Sequence, residues 1–149
     1  MRGSVDTPLG SVWVEVADRA VVASGWGAAQ GGDDPVLRTA LDEVVAYFDR
    51  RLDRFTVPIR PQASGLSGRV LDALSAIPFG ETRTYGDLSK DLGAPAQAIG
   101  RACGSNPVPI LIPCHRVLGA TSLGGFSAPG GIEAKVWLLG HEGAAGLLI

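Results

Sequence analysis

Asn106-Pro107-Val108-Pro109-Ile110-Leu111-Ile112-Pro113-Cys114-His115-Arg116 is the stretch on which this chain turns. Its three prolines exclude a helix and favour extended backbone. Val108, Ile110, Leu111 and Ile112 lie between them and are apolar enough to be buried. The expectation is a stiff, buried strand that ends at Cys114 and fixes its thiol in space. On a strand, neighbouring side chains point to opposite faces, so Cys114 and His115 should not touch directly. Two roles for the thiol stay open. A lone cysteine after an apolar run is commonly a small core hydrophobe. Yet thiols act as nucleophiles only as thiolates, and nearby cations such as His115 and Arg116 favour that form.

Around this stretch the chain has 149 residues, enough for one domain or two small ones sharing a core. With 46% hydrophobic and 19% charged residues it has a globular composition, not a disordered one. No apolar run approaches the ~20 residues of a membrane span. Met1-Arg2-Gly3 leads into a polar segment without a signal-peptide pattern, so a cytoplasmic location is expected. Two cysteines, Cys103 and Cys114, form no disulfide framework, and a nucleophilic thiol needs a reducing compartment. The net charge of −2 argues against general nucleic-acid binding. Residues 1–61 carry seven arginines and nine acids; residues 62–149 carry six basic and six acidic residues. Any DNA contact must therefore come from a local patch and from backbone amides.

Upstream of the stretch, residues 1–60 read as a small α/β unit. Val12, Val14 and Val16 alternate along residues 11–16, Ala20 to Ala23 is a second strand, and Asp18-Arg19 suits the hairpin between them. Gly25 to Asp34 is a glycine-rich loop. No histidine or cysteine lies in this part, and no metal site is expected. Asp34-Pro35 has the form of a helix start, followed by the stripe Leu37, Leu41, Val44, Val45, Phe48 and Leu52. Arg50, Arg51 and Arg54 at its end are either a basic patch or a solvated helix terminus. Phe55 to Ile59 has the composition of a short strand.

After the linker Arg60-Pro61-Gln62, residues 61–149 read as mainly helical. Leu66, Val70, Leu74 and Ile77 mark a helix closed by Pro78-Phe79-Gly80. Thr84-Tyr85-Gly86-Asp87 is a capping box that opens a helix to about Leu92, ended by Gly93-Ala94-Pro95. A further helix runs from Ala96 to Cys103. Two short helices around a glycine turn form a helix-turn-helix pattern, which ordinary helix packing also produces. Gly124 to Gly131 is a glycine-rich loop that either approaches a ligand or links elements. Ile132, Lys135, Val136, Leu138 and Leu139 mark a last helix, ending in Gly140-His141-Glu142-Gly143.

Pro113-Cys114-His115-Arg116, with Asn106-Pro107 before it and Val117 behind it, resembles the active-site signature of the O6-alkylguanine-DNA alkyltransferases, also called methylated-DNA–protein-cysteine methyltransferases. The segment from Ile77 to Tyr85 and the spacing Lys135-x-x-Leu138-Leu139-x-x-Glu142 are similar to the same family. The resemblance is dense over residues 62–145 and loose over residues 7–60. It implies a structural α/β N-terminal subdomain followed by a mainly α domain with a DNA-binding helix-turn-helix.

The resemblance also implies an activity. An alkyl group on O6 of guanine in double-stranded DNA passes to Cys114, irreversibly and once per molecule, with no cofactor and no metal, and the protein acts as a monomer. His115 would take the thiol proton through an intervening water, and Glu142 would orient the imidazole. Asn106 would brace the turn at the cysteine. Tyr85 would donate to the departing base. Val117, Phe126 and Ser127 would line the pocket that receives a base flipped from the duplex. Thr84, Gln97, Ala98, Arg101 and Arg116 would meet the DNA.

Three departures from the family pattern bear on DNA. Gln97 stands where the family has an arginine that fills the gap left by the flipped base. Arg101, one helical turn later, is a candidate substitute. The turn before Gln97 is two residues short, and Phe126 replaces a frequent tyrosine. Two other classes of function stay open: a DNA-lesion binding module of the same fold, favoured by Gln97, and a cysteine hydrolase, for which His141 beside Glu142 is the only other histidine.

Overall fold

The alternation at Val12, Val14 and Val16 folds as a strand. In the computed structural model, which describes residues 1–119, 123–126 and 130–144, β1 (Arg2–Thr7), β2 (Gly10–Ala17) and β3 (Ala20–Trp26) form an antiparallel sheet in that order. Asp18 and Arg19 both take positive φ, 51° and 65°, in the β2–β3 turn. A two-residue hairpin needs that left-handed pair. Val12, Val14 and Val16 are buried on the face covered by α1 (Pro35–Phe48). β1 carries little strand signal because Val5 is its one β-branched aliphatic residue. Gly3 fills its inward position, where a Cβ would stand 2.9 Å from Leu41 Cδ1 of α1.

Asp34 caps α1 as expected, its carboxylate accepting from Val36 N–H at 2.8 Å and Leu37 N–H at 3.1 Å. The helix ends at Phe48, short of the stripe's last member Leu52, because Arg50 enters left-handed backbone at φ 61°. Arg50, Arg51 and Arg54 are exposed, and Arg51 pairs with Asp49 at 3.2 Å. That arrangement is a solvated helix end. The strand expected at Phe55–Ile59 does not form. The Glu43 carboxylate on α1 takes the Thr56 and Val57 N–H groups, each at 3.0 Å, and Pro58 has none. What remains is one parallel bridge between Ile59 and Val21.

The stretch ahead of Cys114 is not a strand either, and the cause is its supply of donors. Prolines have no N–H to donate to a ladder, so each contributes only its carbonyl as an acceptor. Ser24 of β3 donates its N–H to the Pro107 carbonyl at 2.9 Å and its hydroxyl to the Pro109 carbonyl at 2.8 Å. The chain then folds back on itself. Leu111 N–H donates to the Pro109 carbonyl at 2.9 Å across Ile110, whose φ is 74°. For a β-branched residue that backbone is strained. Residues Met1–Gln62 and Pro107–Leu111 make up one unit of the chain; Ala63–Asn106 and the described residues from Ile112 onward make up the other. A division after residue 60 assigns Pro107–Leu111 to the second unit, whereas their pairing with β3 groups them with the first.

In the second unit, α2 (Gly65–Ser75), α3 (Tyr85–Leu92) and α4 (Ala96–Gly104) pack on one another. Val70, Leu71, Leu74, Leu88, Ile99, Ala102 and Cys103 are their buried residues. The capping box forms: Thr84 Oγ1 accepts from Asp87 N–H, and Asp87 Oδ2 from Thr84 N–H, each at 3.0 Å. Gly93 ends α3 in left-handed backbone at φ 63°. A short parallel ladder, β4 (Arg83–Thr84) with β5 (Val117–Leu118), ties the start of α3 to the residues just after Cys114. The last helix, α5 (Ile132–His141), packs against the turn that holds Cys114. No helix among the described residues is long and apolar enough to cross a membrane.

Replacing Asp34 with Ala removes both caps of α1. The expected result is a loss of about 1 kcal/mol of stability, read as a lower urea midpoint with unchanged slope.

Candidate active site around Cys114

Cys114 opens a single 3-10 turn, Cys114–Arg116, instead of ending a strand. Pro113, at φ −82° and ψ 68°, forms the inverse γ-turn that leads into it. Cys114 N–H closes that turn on the Ile112 carbonyl at 2.8 Å, and Arg116 N–H donates to the Pro113 carbonyl at 3.0 Å. Asn106 Nδ2 donates to the same Ile112 carbonyl at 2.9 Å, and its side chain also hydrogen-bonds Cys114. In a 3-10 turn successive side chains diverge by about 120°, so the expected opposite-face arrangement of Cys114 and His115 does not apply.

Glu142 follows the last residue of α5 and turns its carboxylate into the interior. Oε2 accepts from His115 Nε2 at 2.7 Å and from Arg116 Nη2 at 3.0 Å; Oε1 accepts from Arg116 Nε at 2.8 Å. The Arg116 Nη1 group donates to the Ile77 carbonyl at 2.6 Å, and the guanidinium stands 5.8 Å from the Phe79 ring centre. His115 is 0% exposed, Glu142 5% and Arg116 7%. With Nε2 facing a carboxylate, the imidazole carries its proton there and keeps a lone pair on Nδ1. Nδ1 is buried and has no hydrogen-bond partner among the described residues. Arg116, expected at the DNA, is thus corrected to an internal residue: its guanidinium is spent on Glu142 and Ile77 and is not presented to a phosphate.

Lys135, in the sequence only part of a helical pattern, lies beside the Cys114 turn. It is 0% exposed. Its Nζ donates to the Val117 carbonyl at 2.6 Å and the Gly125 carbonyl at 3.2 Å. The signal is present in the sequence: Lys135 lies three and four residues before Leu138 and Leu139, on the stripe that α5 buries. Gly124, at φ 73°, allows this packing, since a Cβ there would stand 3.0 Å from Tyr85 Cε2 and 3.4 Å from Lys135 Nζ.

The electrostatics follow from this burial. Burial pushes the Cys114 thiol up; the Asn106 hydrogen bond and the Lys135 charge oppose it without cancelling it. Cys103 is pushed up to about 12, chiefly by burial. Burial also holds His115 below its ordinary value, against the pull of Glu142 and with help from the Arg116 and Lys135 charges. Lys135 is lowered to about 8 by burial. For Glu142 burial alone would raise the value, but hydrogen bonds from His115 and Arg116 hold it at about 2. Tyr85 is raised by burial and by the two cysteines, so it keeps its proton at neutral pH. At rest the site therefore holds a thiol, a neutral imidazole, a carboxylate, an ammonium and a phenol.

The remaining expected residues fall as follows. Val117 is fully buried in β5, and the Phe126 ring meets His115 edge-on at 6.4 Å between centres. Ser127 lies outside the described residues. Thr84 spends its hydroxyl oxygen on the capping box. Gln97 and Arg101 are exposed on α4, one turn apart and opposite the buried Ile99, Ala102 and Cys103, while Ala98 is half-buried. No group of three or more His, Cys, Asp or Glu among the described residues is placed to hold a metal ion.

Comparison with known proteins agrees with this construction. Residues 66–144 match the family model described as 6-O-methylguanine DNA methyltransferase, DNA binding domain. A methylated-DNA–protein-cysteine methyltransferase of Methanosarcina acetivorans is 39% identical over 115 residues, 75% of this chain and 72% of that protein. One of Mycobacterium tuberculosis is 45% identical over 106 residues, 69% of this chain and 63% of that protein. The crystal structure of M. tuberculosis OGT in complex with DNA superimposes with a TM-score of 0.85 at 35% identity, covering 95% of this chain and 92% of that one.

The site also has a pH signature. Glu142 binds its proton at about 2 when folded, against 4.5 ordinarily. The unfolded chain holds more protons between those values, so this stability is complete above roughly pH 4.5 and lost as pH falls towards 2. His115, depressed by burial, adds a loss in the same direction that begins below about pH 6.5. Urea midpoints should fall as pH drops through both windows, and the Glu142→Gln variant should show the flatter profile below roughly pH 4.5.

Proposed function

This chain belongs to the 6-O-methylguanine DNA methyltransferase family, a family of DNA-repair alkyl transfer, and from that membership we propose that it repairs O6-alkylguanine in duplex DNA with Cys114 as the alkyl acceptor. The observation that carries the proposal is the buried pair of Glu142 and His115, the residue that follows Cys114 in its turn. It supplies what a raised thiol lacks, a neutral base next to it whose orientation is fixed by a carboxylate.

The step runs as a displacement at saturated carbon. His115 Nδ1 takes the thiol proton through one bridging water. The sulfur forms a bond to the alkyl carbon as the carbon–O6 bond breaks, and that electron pair passes to guanine. The Tyr85 hydroxyl gives its proton to the departing guanine anion, and the proton held on the imidazolium passes back through water to the Tyr85 phenolate. The net products are a thioether on Cys114 and unmodified guanine. Lys135 stabilises negative charge on sulfur and, through Val117 and Gly125, holds both sides of the pocket. Val117, Phe126 and Ser127 line it. Because the thioether is not readily broken, each molecule acts once. Asn106 keeps the γ-turn and the thiol in register.

DNA is met by α4. Its N-terminal backbone amides and the exposed pair Gln97 and Arg101 supply the contacts, with Arg101 providing the cation that Gln97 does not. A lesion-binding module without transfer remains the second reading, favoured by Gln97.

Intact-protein mass spectrometry after incubation with a duplex carrying one O6-methylguanine tests the proposal. The wild type should gain one methyl group, Cys103→Ser should gain one, and Cys114→Ser none. Transfer from free O6-benzylguanine but not from the duplex would move the defect to base flipping at α4. Transfer from neither substrate would overturn the alkyl-acceptor role and leave the lesion-binding module.

A further inference from the structure

Arg116 lies in the middle of the site and does no chemistry in the step above. Its guanidinium grips Glu142 with two prongs, Nε on Oε1 at 2.8 Å and Nη2 on Oε2 at 3.0 Å. The second of these oxygens is the one that His115 Nε2 contacts at 2.7 Å. Nη1 is anchored on the Ile77 carbonyl, which leaves the guanidinium little freedom to rotate. One carboxylate oxygen is thus shared between the catalytic base and a permanent cation, with all three side chains buried.

We propose that Arg116 is a positioning residue that sets both the orientation and the base strength of His115 through Glu142. The inference rests on the alkyl-acceptor reading of Cys114. Two physical effects carry it. The fork fixes the carboxylate plane, so Oε2 meets Nε2 and the lone pair on Nδ1 stays available. The guanidinium also neutralises much of the carboxylate charge that would otherwise attract a proton to the imidazole. A His–Glu pair alone favours imidazolium, and an imidazolium cannot accept the thiol proton.

Among the described residues, the charged and titratable groups around His115 are few. Glu142 and Lys135 face it from α5 and the residue after it, Arg116 and Cys114 from its own turn. Cys103 of α4 and Tyr85 of α3 are coupled to Cys114. Among these only Glu142 favours the protonated ring, and Arg116 is the group bonded to Glu142.

The test is the pH dependence of methyl uptake by Cys114 under single-turnover conditions. In the wild type, the acid limb of that profile reports protonation of His115. In Arg116→Met and Arg116→Gln the limb should move to higher pH by on the order of one unit. Arg116→Lys, which keeps the charge but not the fork, should leave the limb nearly in place and lower the rate across the range. A purely structural role would reduce the amount of active protein without moving the limb. A neutral variant whose limb coincides with that of the wild type overturns the proposal while the alkyl-acceptor reading stands; a wild type that takes up no methyl group fails at that earlier reading instead. Should neither neutral variant fold, ring-nitrogen NMR of the wild type decides. His115 neutral at pH 7 with its proton on Nε2 supports the proposal, and an imidazolium at that pH overturns it.

Discussion

Glu142 carries a negative charge into a place that water does not reach, and three N–H donors from two neighbouring residues meet it there. An uncompensated carboxylate at that depth would cost several kcal/mol. The rest of the second unit is arranged around this requirement. His115 and Arg116 reach the same carboxylate because they are consecutive in a 3-10 turn, where side chains fan out instead of alternating. Ile77 and Phe79, at the end of the α2 segment, hold the far side of the guanidinium. α5 and the residue after it bring Lys135 and Glu142 to the same turn, Glu142 as the acceptor for His115 and Lys135 as a buried cation that draws the Cys114 thiol down.

Proline chemistry explains why the turn exists. Pro107, Pro109 and Pro113 each supply a carbonyl and no N–H, and the segment is held as an acceptor by Ser24 and by bonds within itself. Two tight turns, around Ile110 and Pro113, result from that. The second sets the direction from which Cys114 begins its turn. Asn106 then bonds the Ile112 carbonyl and the thiol, which couples the end of α4 to Cys114.

Much of this could be seen in the residues beforehand, for reasons that differ by element. The α1 cap at Asp34, the Thr84–Asp87 box and the β2–β3 hairpin are local devices, complete within a few residues. Cys114, His115, Asn106 and Glu142 could be picked out because their spacing follows a family pattern. What could not be seen depends on partners distant in sequence. Phe55–Ile59 has strand composition, but Glu43 takes its donors. The apolar run before Cys114 suggests a strand, but its prolines leave too few donors for a ladder. Arg116 looks like a DNA contact as a charge in a motif and becomes internal only when Glu142, 26 residues later, is brought to it. Lys135 was visible as a cation on an apolar stripe, and its function depends on carbonyls in two other segments.

The account's central claim is that Glu142 acts on Cys114 only through His115. A double-mutant cycle on the rate of methyl uptake, with His115→Asn, Glu142→Gln and the pair combined, tests it most directly. If the three side chains work as one chain, the double variant should be no slower than His115→Asn alone. If the two losses multiply, Glu142 contributes by a route that bypasses the imidazole, and the account is contradicted.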